Sequence, residues 1–179
     1  MCDWLLQLLP SVCTVVVSLI SSMVVIRSAR KTKNEEIAKE LNDSLEQFYY
    51  PFILLSKKTT QLYIALKAVC DLDEEGCISY LLKGNTFIGN EMVLFNEILL
   101  NNIRLNELIL SKSNIVSDSN LIDDLSKLSS HYTILELASK GELKGDEEIL
   151  TCYSFPSDVI EKMEAAVIKI KETIYFYRK

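Results

Sequence analysis

The sequence has one histidine, His131, together with five glycines, three prolines and one tryptophan. So little histidine excludes a conventional histidine-based metal centre, because zinc sites draw on several His or Cys ligands. The five cysteines are Cys2, Cys13, Cys70, Cys77 and Cys152. They contain no CxxC pair, and an odd number cannot close completely into disulfides. They read as reduced residues packed like small apolar side chains. No GxGxxG, Walker A, HExxH or GxSxG pattern occurs, which removes support for nucleotide-dependent, metallohydrolase and serine-hydrolase chemistry. Neither a cofactor nor a metal is expected. Strict apolar and polar alternation hardly occurs, so strand signals are scarce.

Charge is unevenly spread. The net charge is −6, and four of the 19 basic residues, Arg27, Arg30, Lys31 and Lys33, fall within one short collar. After residue 34 the chain carries 15 basic against 24 acidic residues. A surface that tracks phosphates relies on clustered Lys and Arg, so the sequence gives no strong nucleic-acid signal.

What is present at the amino terminus is a run without formal charge over residues 4–26. Its 23 residues would make about 34 Å of helix, enough for a hydrocarbon core of about 30 Å. The run predicts a single transmembrane helix. Asp3 precedes it and the basic collar follows, the reverse of a cleaved signal peptide. By the positive-inside rule, Arg27, Arg30, Lys31 and Lys33 orient the chain with its amino terminus outside and the rest in the cytoplasm, a single-pass protein of the cell inner membrane. The expected division is residues 1–33 for the span and collar and 34–179 for a cytoplasmic helical domain.

Polar residues within the run keep one register. Gln7, Ser11, Thr14, Ser18 and Ser21 are spaced 4, 3, 4 and 3 apart and fall within about 80° on a helix. Such a stripe either lets helices pack closely or lines the lumen of a ring of helices. Both readings imply a homo-oligomer, and the second makes the five residues pore-lining. The register continues through Val25, Ala29, Thr32 and Glu36.

The remainder reads as an all-α bundle of about four or five helices. Ile37, Leu41, Leu45 and Phe48 form one apolar face over residues 34–48, and Pro51 predicts a kink or short break near Tyr50. Helices are expected over 53–70 and 75–83. Another is expected over 90–111, with Met92, Phe95, Leu99, Ile103 and Leu110 as its buried stripe. Ser117 or Ser119 should cap the next helix, which ends near Gly141. Pro156 starts the last, whose core face is Val159, Met163, Val167, Ile170, Ile174 and Tyr177.

His131 alone titrates near neutral pH from its reference value, which makes it the one general acid or base on offer. A lone histidine in a helix is more often structural. The pairs Glu74 and Glu75, Asp123 and Asp124, and Glu147 and Glu148 read as solvated helix ends.

One amino-terminal membrane helix followed by a helical domain with a histidine in a late helix resembles a family of small membrane accessory proteins. That family is encoded beside the RNA-targeting effector of type VI-B CRISPR systems. The resemblance implies a divergent HEPN-like bundle and an oligomer that forms a membrane pore and strengthens RNA-guided antiphage defence. HEPN ribonucleases place an Arg and a His with four to six residues between them. The corresponding positions here are Asp124, Leu125 and Ser126, Lys127 lies too close to His131, and Arg104 lies far upstream. The resemblance therefore implies a non-enzymatic protein. The alternatives are a membrane-tethered ribonuclease using His131 with Arg104, and a membrane adaptor for a cytoplasmic partner.

Overall fold

A computed structural model of the protein describes residues 3–70, 72, 76–143 and 158–179, with side chains described from Val17 onward. The elements are α1 (Asp3–Ser44), a π-helical turn (Leu45–Tyr49), α2 (Tyr50–Val69), α3 (Gly76–Leu82), α4 (Gly89–Lys112), a 3₁₀ turn (Ser113–Ile115), α5 (Ser119–Ser139) and α6 (Val159–Arg178). No strand occurs among the described residues, and the fold is all-α. The chain divides into two compact units, one comprising Met1–Asn42 with Lys171–Lys179 and the other Asp43–Ile170.

The expected membrane span is corrected by this structure. Among the described residues no helix is long and apolar enough to cross a membrane. The uncharged run does not end its helix, since α1 continues from Asp3 to Ser44. Arg27 and Arg30 then enter the same helix. The single-pass placement in the inner membrane falls with the span, and so does the orienting role given to the collar. Arg27, Arg30, Lys31 and Lys33 are exposed along α1, where Lys31 meets Glu35 at 3.9 Å. Of the predicted pore-lining residues, Gln7, Ser11 and Thr14 lie outside the described side chains, while Ser18 and Ser21 are exposed. Hydroxyls on this helix close locally: Ser22 Oγ donates to the Ser18 carbonyl at 2.8 Å and Thr32 Oγ1 to the Ser28 carbonyl at 3.1 Å.

Within the larger unit Pro51 does not break the helix. Proline has no N–H for the carbonyl four residues back, and its ring crowds that carbonyl. The preceding turn widens instead. The Tyr50 N–H bonds the Leu45 carbonyl five residues back, the mark of a π-turn, and Leu45, Phe48 and Tyr49 are buried within it.

Helices α2 and α4 run antiparallel. Lys112 near the end of α4 donates to Gln47 before α2 at 3.2 Å, while Lys58 further along α2 reaches Asn101 earlier on α4. Next to α4 lies α5, through Ser129 Oγ donating to Asn106 Oδ1 at 2.6 Å. One apolar cluster joins Leu66 and Cys70, Ile78, Phe87, Phe95 and Ile98, and Leu135. Phe87 and Phe95 lie with ring centroids 4.3 Å apart inside it.

Local signals explain the ends. The Asp118 carboxylate, rather than Ser117 or Ser119, caps α5 by accepting from the N–H groups of Asn120 and Leu121. At the other end Gly141 takes φ 70°, with its N–H on the Ala138 carbonyl and that of Glu142 on the Leu137 carbonyl, a Schellman ending. On α6 Val159, Met163, Val167 and Ile174 are buried, on the face read from the sequence. Pro156 lies outside the described residues.

Candidate functional site

The catalytic candidates lie on different helices. His131 is half-buried on α5, its ring 6.1 Å from that of buried Tyr132. Arg104 is exposed on α4. Asn106 of α4 accepts a hydrogen bond from Ser129 of α5, and two residues of helix turn Arg104 about 160° away from Asn106. Upstream of His131, Leu125 belongs to the core. Asp124 is a buried carboxylate held by Lys162 and Lys127. Neither supplies the cation that would steady a phosphate beside a ribose hydroxyl. Among the described residues no group of three His, Cys, Asp or Glu side chains could hold a metal ion.

Two thiols are buried in the cluster under α3. Burial, and then the neighbouring Cys70, push the Cys77 thiol up to about 12, and burial followed by Cys77 raises Tyr63 as well. Both cysteines are reduced. A thiol that keeps its proton far above neutral pH is a poor nucleophile, so Cys77 is a packing residue. Gly76 opens α3 at φ 79°, where an added Cβ would sit 3.2 Å from the Tyr63 hydroxyl, so the close approach of this turn depends on glycine. Cys2, Cys13 and Cys152 lie outside the described side chains.

A polar seam between α2 and α4 went unread in the sequence. The buried stripe of α4 is Phe95, Ile98, Asn101, Asn102, Leu105 and Ile109, whereas Met92, Ile103 and Leu110, expected inside, are exposed and Leu99 is half-buried. Asn101 Oδ1 accepts from Lys58 Nζ at 3.3 Å, and the same ammonium lies 3.6 Å from Glu97. Among the described residues Asn101 Nδ2, Asn102 Oδ1, Ser56 Oγ and Thr59 Oγ1 are buried without a hydrogen-bond partner. Each such group costs roughly 1–3 kcal/mol. The signal available was the Asn pair itself, two amides inside an otherwise apolar helical stretch. A search for apolar periodicity passes over it.

No family model, no curated protein and no solved structure matches the chain. The resemblance to type VI-B accessory proteins therefore rests on chain layout alone, of which the membrane helix has been corrected and the helical domain remains, and the functional reading rests on surface chemistry.

That chemistry is concentrated on α1. Val17, Leu19, Ile20, Met23, Val24, Val25 and Ile26 are each 51–66% exposed, and they point in every direction around the helix. Isolated apolar side chains on a surface are ordinary, whereas a contiguous set of this size marks a place where another molecule sits. Ser18, Ser21 and Ala29 interrupt the wall with small side chains that permit close helix approach.

Proposed function

We propose that the protein is a non-enzymatic assembly module, a homo-oligomer whose copies meet through the uncovered apolar wall of α1. The seven exposed side chains at residues 17–26 carry this reading. Burying one side chain of this kind stabilises by about 1.5–3 kcal/mol, so even partial coverage of the set outweighs the ordering of a few side chains. The angle of about 160° between Arg104 and Asn106, the α4 residue bonded to α5, supports the non-enzymatic part. Of the two roles open to the serine stripe, close packing remains, since a lumen across a bilayer would need the span that the described residues lack. On the resemblance, such an assembly would work beside an RNA-guided antiphage effector.

Sedimentation of the full chain tests this. The wild type should run as an oligomer, and the double variant Ile20→Glu with Val24→Glu should lose mass while keeping its helical circular dichroism. A wild-type chain that is monomeric at the highest concentration reached would overturn the assembly reading.

A further inference from the structure

A second apolar row lies uncovered in the Asp43–Ile170 unit, on the outer face of α4. Val93, Leu100, Ile103 and Leu110 are exposed, and Asn96 and Glu107, also exposed, fill the gaps between them. The row 93, 96, 100, 103, 107, 110 advances by alternating steps of three and four, the repeat with which one helix meets another along a seam. Phe95, Ile98, Leu105 and Ile109 occupy the core side of the same helix. The outer row is therefore a second stripe, additional to the one that folds the unit.

The row is a chemical palindrome. About a midpoint between positions 101 and 102, Val93 mirrors Leu110, Asn96 mirrors Glu107 and Leu100 mirrors Ile103. An antiparallel copy of the same helix would set apolar against apolar at four layers and an amide donor against a carboxylate acceptor at two. Charge follows the same symmetry. Glu97 and Arg104 flank one side of the row, one heptad apart, so a two-fold axis through the midpoint brings Glu97 of each copy to within about 3 Å, along the axis, of the level of Arg104 on the other. Arg104 makes no ion pair among the described residues, and Glu97 holds Lys58 only at 3.6 Å.

We infer that a second copy of this chain docks antiparallel on α4 about a two-fold axis, with Leu100 and Ile103 at its centre and two Glu97 to Arg104 pairs at its edge. Two-fold contacts of this isologous kind are the commonest among homo-oligomers. The inference rests on the assembly reading and deepens it, because it gives the larger unit a contact separate from the wall of α1.

The test is a charge exchange in the full chain, read by sedimentation. Arg104→Glu alone sets Glu97 against Glu twice, and Glu97→Arg alone sets Arg against Arg, so each should weaken self-association by about tenfold or more. E97R/R104E restores both pairs and should recover most of the lost affinity. Both positions are exposed, so thermal unfolding should barely move. A rescue by the double exchange has no explanation in a role confined to one copy. Unchanged association in Arg104→Glu, or a double variant no better than either single one, overturns the α4 contact. If those results coincide with dissociation of Ile20→Glu with Val24→Glu, the α1 reading stands while this one falls. If the charge exchange behaves as expected and the α1 variant stays assembled, α1 is excluded and α4 is retained.

Discussion

Lys162 on α6 donates to Asp124 Oδ2 on α5 at 2.5 Å and reaches Asp158 Oδ2 at 2.8 Å. The two carboxylates differ in surroundings, since Asp124 is buried and Asp158 faces solvent. A buried carboxylate that loses its cation keeps its desolvation cost, whereas a solvated one is rehydrated.

Lys162→Ala, which leaves the Asp124 carboxylate buried without that ammonium, should therefore lower the melting temperature by about 5 °C, and Asp158→Ala by no more than about 1 °C. Differential scanning fluorimetry of the two variants decides this, and equal shifts would contradict it. The hydrogen bond to Asp124, then that to Asp158, raises Lys162 above the ordinary lysine range. Its contribution is complete below that range and is lost only as pH rises through the raised value.

Alkaline titration should weaken the fold in a defined window. Cys77 is raised from 9.0 to about 12 by burial and then by Cys70, and Tyr132 is raised by burial. Such groups bind protons more tightly in the folded state than in the unfolded one. The stability they contribute is full below pH 9 and falls as pH climbs toward 12. The denaturant midpoint should be flat between pH 7 and 8.5 and decline above pH 9, and Cys77→Ala should flatten that decline. A native protein whose Cys77 alkylates freely at pH 8 would contradict the assignment.

The polar seam gives the opposite sign from most core changes. Ser56→Ala removes a buried hydroxyl that has no partner among the described residues, and Thr59→Val replaces another by a methyl of similar size. Each should stabilise the chain by about 1 kcal/mol. Urea unfolding should show a higher midpoint at an unchanged slope. A fall in midpoint would mean that the hydroxyls are satisfied in solution.

The same seam shows where sequence reading worked and where it failed. On α6 the apolar periodicity and the buried face coincide, because one side of that helix holds nearly all of its large aliphatic residues between Val159 and Ile174. On α4 both faces are apolar, so periodicity cannot say which is inside. It favoured Met92, Ile103 and Leu110, while tertiary packing chose Asn101 and Asn102. Gly141 was legible because a helix ending with positive φ favours glycine. Asp118 was not, since a serine lies on either side of it and any of the three could cap. For His131 the sequence is silent for another reason: spacing along a chain says nothing of the angle at which Arg104 leaves its helix.

The π-turn at Leu45–Tyr49 has a consequence for how the chain can vary in length. A π-turn is an α-helix that has absorbed one additional residue, and Pro51 gives it a reason to persist. Removing one residue within that turn, together with replacing Pro51, would restore regular winding while leaving Phe52, Ser56 and Leu66 on the face they now bury. In a family of such chains this position would appear as a one-residue gap that covaries with the proline, inside a helix, where gaps are otherwise least tolerated.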